Sequence, residues 1–178
     1  MKIAILGDTH FGMRGDSIAF HNHYREFYTK HFFPYLVDHG VRTIFQLGDL
    51  FDRRKYISFQ SLALCRRYFF DKLAEHNLEM HTLLGNHDIT FKNTLEVNSP
   101  ELLLKDYPNV VVYNEPTEWN GIDIIPWICK DNDLEIMDFI KRSTNGVCLV
   151  ISNSLGLKWI AATFALRVWI QQRCKNMI

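Results

Sequence analysis

Three times along the chain, a short apolar run stops at a glycine that is followed by side chains able to bind metal ions. The three segments are Gly7-Asp8-Thr9-His10, Gly48-Asp49-Leu50-Phe51-Asp52 and Gly85-Asn86-His87-Asp88. Taken alone, each segment is most simply a turn, because Gly, Asp and Asn favour turns. Three in succession predict parallel strands whose carboxyl ends meet at one edge of a sheet, where α/β proteins bind their ligands. The recurrence therefore predicts an α/β domain with one shared site.

The remaining pattern favours the same fold class. Runs of strand length alternate with segments of helical periodicity, which is typical of an α/β layered domain. Strands are predicted at 2–6, 43–47, 79–84, 110–113, 122–125 and from Val147, and helices at 21–39, 58–74 and 134–143. We expect Ser58 to cap the second helix, whose apolar face includes Cys65 and Phe69.

Composition excludes several classes of protein. The 178 residues are 47% hydrophobic and 22% charged, as in one globular domain and unlike a disordered chain. Twenty basic and twenty acidic side chains cancel, so a DNA contact would need a local basic patch. No apolar run reaches the ~18–20 residues of a membrane span. Four cysteines without Cys-x-x-Cys pairing favour a reducing compartment. We therefore expect a cytoplasmic protein with no membrane partner.

The donor types in the three segments indicate a particular metal chemistry. Carboxylate, amide and imidazole groups suit manganese, iron or zinc better than a soft metal. A carboxylate such as Asp49 can bridge two ions ~3.5–4 Å apart, an arrangement that clamps a phosphoryl group. Glycine before each donor allows the tight turn and the close approach that a packed ion site needs. The sequence thus predicts a metal site directed at phosphate.

The three motifs resemble those of the calcineurin-like metallophosphoesterases, which are Asp-x-His, Gly-Asp-x-x-Asp and Gly-Asn-His-Asp/Glu. Within that family the chain is similar to the SbcD-type recombination nucleases, and especially to their T4-like phage version, the recombination endonuclease subunit. The resemblance covers residues 1–148 and includes Gly48–Arg54, Leu102–Val110 and Ile124–Cys129. It implies a layered β-sheet sandwich flanked by helices and incomplete at its C-terminal end.

The resemblance also implies a role for each motif residue. The residues implied to bind two divalent ions, expected to be Mn²⁺, are Asp8, His10, Asp49 and Asn86. Asp49 would bridge the two ions, and Asn86 would also bind the second ion. His87 would stabilise or protonate the leaving oxygen, and Asp88 would orient the imidazole of His87. Histidine suits proton transfer because its ordinary pKa of ~6.5 lies near working pH.

Other residues carry weaker signals. Arg53, Arg54 and Lys55 follow the second motif, where they either meet DNA phosphates or form a solvated loop. His21 is predicted to lie on a helix surface, together with His23. Trp127 is predicted to be a core residue or the end of a strand.

The implied function is DNA phosphodiester hydrolysis by a two-metal site in phage recombination, repair and replication. The implied partners are DNA and an SbcC-type coiled-coil ATPase subunit, and a homodimer is a further expectation. Two alternatives stay open. One is a phosphatase or nucleotide phosphodiesterase of the same fold, and the other is a catalytically dead module that binds DNA or the ATPase.

The last stretch of the chain differs from the rest. From Val150 onward there is no Asp, Glu, His or Pro, and the four charged side chains are all basic. The last of the eight histidines is His87. The family takes three more histidines from later Gly-His and Gly-His-x-His motifs, so the site is expected to hold metal weakly and the chain to be weakly active or inactive.

A single-base deletion explains this tail. Removing one base from a sequence that encodes the expected Gly-His motif reproduces residues 148–157. We therefore expect residues 1–148 to be the N-terminal part of a nuclease domain and residues 149–178 to be a frameshifted basic tail. The alternative is a natural truncation with an independent C-terminal helix.

Overall fold

Two β-sheets form the framework of the computed structural model, which describes residues 1–151. The strands are β1 (Ile3–Leu6), β2 (Thr43–Gln46), β3 (Glu79–Leu83), β4 (Val110–Tyr113), β5 (Thr117–Trp119), β6 (Ile122–Ile125) and β7 (Val147–Val150). The first sheet has the order β1-β2-β3-β4 with every neighbouring pair parallel. In the second sheet, β6 pairs antiparallel with β5 and parallel with β7.

Helices connect strands within both sheets. They are α1 (Met13–Asp16), α2 (Ile18–Phe27), α3 (Phe33–Asp38), α4 (Phe59–Cys65), α5 (Asp71–Glu75), α6 (Ser99–Leu104) and α7 (Asp133–Arg142). Single π-helical segments, Tyr28–Phe32 and Arg66–Phe70, join α2 to α3 and α4 to α5. The two long helical stretches therefore lie where the periodicity predicts them. The sequence pattern missed β5, α1 and α6, because elements of three to six residues are too short to show a period.

The first sheet is the middle layer of the fold. Successive residues of a strand point to opposite faces of a sheet. Ile44 of β2 packs in the core formed with the helices, whereas its neighbour Phe45 packs with Leu83, Ile124 and Leu149 between the two sheets. The layered sandwich flanked by helices, as expected from the sequence, is therefore confirmed.

The helix caps and the helical core follow from particular residues. The Ser58 side chain accepts a hydrogen bond from the backbone N–H of Ser61, which confirms the predicted N-cap of α4. Cys65 and Phe69, on the predicted apolar face, are both fully buried. Cys65 and Cys129 are buried free thiols, and Cys148 is an exposed one.

Strand β7 runs across the expected boundary between residues 148 and 149. Leu149 pairs with Ile124 and lies in the core between the sheets, and Val150 pairs with Ile125. Residues 152–178 of the expected tail lie outside the described part of the chain. The shifted reading frame stays a prediction, and the nucleotide sequence around codon 149 tests it.

No helix within residues 1–151 is long and apolar enough to cross a lipid bilayer.

The burial of Phe69 gives a direct test of the helical core. Because its ring is fully buried, Phe69→Ala should lower the free energy of unfolding by about 3–5 kcal/mol, through lost burial and a residual cavity. Denaturant unfolding measures this loss. Phe59→Ala is the matched control, because that ring is 91% exposed and its removal should change stability by about 0.5 kcal/mol or less. Equal losses of unfolding free energy for the two variants would contradict the burial of the Phe69 ring.

Candidate metal centre

The three motif loops meet at the carboxyl ends of β1, β2 and β3. These strands are adjacent and parallel, so the loops that follow them emerge at the same edge of the sheet. The first loop is joined to the second by backbone hydrogen bonds, from His10 N–H to Asp49 O (3.0 Å) and from Phe11 N–H to Leu50 O (2.9 Å). The Thr9 hydroxyl also donates to Leu50 O, at 3.0 Å. The first two motifs therefore have a fixed relative position.

Asp88 joins the second loop to the third. Its carboxylate is fully buried and accepts the backbone N–H groups of Leu50 (2.9 Å) and Phe51 (3.2 Å) on one oxygen and of Gly85 (2.9 Å) on the other. Burial raises the pKa of Asp88 to about 7, and the backbone hydrogen bonds act in the opposite direction. One side chain thus determines the positions of two loops.

Three donor groups lie close together where the loops meet. The ligand atoms of His10, Asp49 and His87 all lie within 4.8 Å of one another. His10 Nε2 is 3.8 Å from Asp49 Oδ2 and 4.0 Å from Asp8 Oδ2. His10 Nδ1 is buried and has no hydrogen-bond partner among the described residues. Converging carboxylate oxygens beside a histidine nitrogen fit a divalent cation.

Asn86 faces the same place. A cavity of about 300 Å³ is lined by Asp8, Asp49 and Asn86, and Trp127 forms another part of its wall. The structure thus brings together the four residues expected from the sequence to bind metal, and their role as ligands stays a prediction. Trp127, predicted to be a core residue or the end of a strand, packs against a core cluster and also lines this cavity, which the sequence did not predict. Its backbone N–H donates to Leu84 O at 2.8 Å.

The structure gives the His87 ring a different hydrogen-bond partner from the predicted Asp88. His87 Nδ1 lies 2.6 Å from the backbone carbonyl of Asp52, while the Asp88 carboxylate is occupied by backbone N–H groups. Because a carbonyl only accepts hydrogen bonds, Nδ1 carries the hydrogen of this bond. Asp52 also places Oδ1 3.6 Å from His10 Nδ1. Asp52 is the second aspartate of the Gly-Asp-x-x-Asp motif, and that motif position was the sequence feature that could have indicated its role.

The glycines of the three motifs differ in why the structure requires a glycine there. Gly48 has a φ of +88°, which favours glycine, and a Cβ on Gly85 would lie 2.3 Å from both the backbone N and Oδ1 of Asp49. At Gly7, by contrast, a Cβ would meet nothing within 4 Å. The expectation that every motif glycine permits close approach is therefore wrong for Gly7. His10 (φ 44°) and Asp49 (φ 52°) are themselves left-handed, a strained conformation that is concentrated at functional sites.

The basic residues after the second motif line a different cavity from this one. Arg53 donates to the Asp16 carboxylate at 2.8 Å, and its guanidinium lies 4.9 Å from the centre of the Tyr56 ring. Arg54 and Lys55 line a second cavity together with Arg53. The expected solvated loop is therefore only partly correct, since Lys55 is exposed but Arg53 is firmly held.

His21 lies in a buried polar chain, so its predicted place on a helix surface is wrong. The Asp16 carboxylate accepts hydrogen bonds from Ser61 Oγ (2.6 Å) and Arg53. Because the Ser61 hydrogen goes to Asp16, its oxygen accepts from His21 Nε2 (2.7 Å), and His21 Nδ1 then accepts from the Tyr68 hydroxyl (3.1 Å). Burial lowers the pKa of His21, which keeps this tautomer neutral.

Comparisons with known proteins support the motif assignment. A family model described as calcineurin-like phosphoesterase matches residues 1–159. Exonuclease subunit 1 of Enterobacteria phage T4 is 37% identical over 153 residues, which is 84% of this chain and 44% of the phage protein. The chain therefore spans less than half the length of this curated relative.

Solved structures of lower sequence identity also match, among them one nuclease. It is the crystal structure of Pseudomonas putida nuclease MPE, with a TM-score of 0.46 and 20% sequence identity. The alignment covers 68% of this chain and 52% of the nuclease.

The contrast between two motif glycines gives a prediction. Gly85→Ala should destabilise the fold and weaken Mn²⁺ binding at least tenfold, because the new Cβ collides with Asp49. Gly7→Ala, at the equivalent motif position, should change the stability and the Mn²⁺ affinity little, because its Cβ meets open space. Calorimetric titration with Mn²⁺ and thermal unfolding measure the two properties. Similar behaviour of the two variants would refute the close approach at Gly85.

The Asp16 carboxylate gives a prediction about pH. The hydrogen bond from Ser61 and the nearby Arg53 hold the pKa of Asp16 below its ordinary value. The ionised Asp16 carboxylate therefore makes its full contribution to stability at pH values above the ordinary carboxyl pKa. This contribution is lost as the pH falls through the lowered pKa. Asp16→Asn should cost about 1–2 kcal/mol at pH 7, with the difference from wild type shrinking below about pH 4.

Urea unfolding at several pH values between 7 and 3 measures this dependence. Asp38→Asn is the control, because Asp38 is exposed. A difference between Asp16→Asn and wild type that stays constant over the whole range would show that the carboxylate charge is not responsible.

Proposed function

This chain belongs to the calcineurin-like phosphoesterase family, and on that premise we propose that it is a metal-dependent nuclease domain that hydrolyses DNA phosphodiester bonds. The observation that carries the proposal is the convergence of Asp8, His10, Asp49 and Asn86 beside the imidazole of His87. The name of the phage relative, an exonuclease subunit, supports DNA as the substrate.

We propose that the donors hold two divalent ions, with Mn²⁺ as the preferred metal. Asp8, His10 and Asp49 would bind the first ion, and Asp49 with Asn86 would bind the second. When bound, such ions polarise the phosphoryl group and activate water for attack. The backbone N–H of His87 donates to one oxygen of Asp49 at 2.8 Å, which fixes the orientation of the carboxylate. The other oxygen then faces His10, and this orientation suits a bridging role.

His87 is proposed to act on the leaving oxygen. The Asp52 carbonyl fixes the ring through Nδ1, so Nε2 is the nitrogen left to exchange a proton. His87 would donate a proton as the oxygen departs, while Asp88 acts by holding the loops in place.

The proposed partners extend beyond DNA. By resemblance, an SbcC-type coiled-coil ATPase would work with this nuclease in recombination, repair and replication, in the host-cell cytoplasm. A homodimer would cover exposed apolar side chains near the second motif, since Tyr56 is 65% exposed and Phe59 is 91% exposed.

Weak activity is part of the proposal. By resemblance, a complete two-metal site of this family uses more imidazole ligands than the single one, His10, proposed here. Metal affinity depends strongly on the number of ligands and on the groups that orient them. We therefore expect a weakly bound second ion and slow turnover.

One experiment separates this proposal from its alternatives. Hydrolysis of plasmid DNA, an oligonucleotide and a small chromogenic phosphodiester is followed with and without Mn²⁺. A nuclease should cleave DNA in preference to the small ester, a phosphatase or nucleotide phosphodiesterase should show the reverse preference, and a dead module should bind DNA without cleavage.

Two variants assign the roles within the site. Asp49→Ala should abolish both Mn²⁺ binding and cleavage, because it removes the bridging carboxylate. His87→Asn should lower cleavage about 10²–10⁴-fold, as expected for loss of a general acid, while Mn²⁺ affinity stays close to wild type. Loss of Mn²⁺ binding in His87→Asn as well would make His87 a ligand instead.

A further inference from the structure

A second cavity of about 160 Å³ lies beside the second motif. Its walls include Phe51, Arg53, Arg54, Lys55, Thr90 and Ser99. A single water molecule needs only about 10–15 Å³ on the same measure, so the cavity has room for a small anion. Among the described residues that line it, none is acidic, and three are cationic.

Arg54 is the feature that most needs an explanation. Its Nη1 atom is buried and has no hydrogen-bond partner in the described part of the protein. A buried N–H donor without a partner costs about 1–3 kcal/mol, and more when the group is charged. A guanidinium that lines a cavity without a counter-charge is suited to bind an oxyanion, which supplies the opposite charge.

Arg53 contributes in a different way. Its charge is already balanced by Asp16, and its guanidinium lies against the Tyr56 ring. It is therefore a fixed wall of the cavity. The unbalanced positive charge comes from Arg54 and Lys55, and the Thr90 hydroxyl is an additional donor for an anion. The Ser99 hydroxyl donates to Asp88 O at 3.3 Å and marks the wall of the cavity.

The cavity and the candidate metal centre share their supporting residues. Phe51 lines the cavity and donates its backbone N–H to the Asp88 side chain. Ser99 also lines the cavity and donates its backbone N–H to Asp88 O at 2.8 Å. Asp52, whose carbonyl holds His87, directly precedes Arg53 in the chain. A group bound in the cavity would therefore have a fixed position relative to the metal centre.

We propose that this cavity binds a backbone phosphate of a nucleic-acid strand, with Arg54 as its main ligand, while another phosphodiester of the strand occupies the metal centre. The proposal rests on the proposed function and adds the contact that fixes the strand. Guanidinium groups recognise phosphate by paired hydrogen bonds, which a lysine cannot reproduce fully.

The first test uses metal-free protein in EDTA, so that the metal centre cannot hold phosphate and no hydrolysis is required. Inorganic phosphate is titrated while backbone amide chemical shifts are recorded. Shifts should appear at Thr90 and Ser99. Arg54→Gln should weaken phosphate binding at least tenfold, Arg54→Lys should retain part of it, and Arg67→Gln, an exposed control, should match wild type.

A stability measurement excludes a purely structural role. Because Arg54 Nη1 has no partner to lose, Arg54→Gln should leave the thermal unfolding temperature unchanged or raise it. A lowered unfolding temperature together with wild-type phosphate affinity would overturn the proposal. So would the absence of any shift at Thr90 and Ser99 at high phosphate concentration.

The second test distinguishes a strand phosphate from a free anion. Binding of a single-stranded oligonucleotide is measured in EDTA over a range of salt concentrations. Loss of one phosphate contact should reduce the slope of log K against log salt by about 0.7 in Arg54→Gln. An unchanged slope would overturn the proposal even if free phosphate binds. Failure of DNA cleavage would bear on the proposed function alone, because neither test involves catalysis.

Discussion

The buried carboxylate of Asp88 is the interaction on which the rest of the candidate centre depends. It accepts backbone N–H groups from the second and third motif loops, so a charged group that would be costly to bury alone becomes the link between them. Backbone donors fix the path of the chain more tightly than side-chain donors would. The positions of Asp49, Asn86 and His87 all follow from this link.

Strain and close approach complete the geometry. His10 and Asp49 both adopt left-handed backbone conformations, which are costly for residues with a side chain. Hydrogen bonds between the first and second loops, together with the tight contact of Gly85 against Asp49, hold these conformations in place. The candidate ligands are thus arranged before any ion binds, at the expense of backbone strain.

The segment at the end of the second motif contacts both the candidate metal centre and the helical layer. On one side, the Asp52 carbonyl orients His87. On the other side, Arg53 joins the hydrogen-bonded chain of Asp16, Ser61 and His21, which links α2 to α4. The helical layer therefore supports the site through side-chain hydrogen bonds as well as through the apolar core beneath it.

The sequence by itself determined the strand that precedes each motif, the two long helical stretches and the four residues that converge on the candidate centre. These features depend on local patterns, namely apolar periodicity and the placement of Gly, Asp, Asn and His directly after strands. Only the tertiary structure decided that Asp52 orients His87, that His21 is buried and that Trp127 lines the cavity. Each of these depends on residues distant in the chain, and the choice between a carbonyl and a carboxylate as the partner of an imidazole is made by packing.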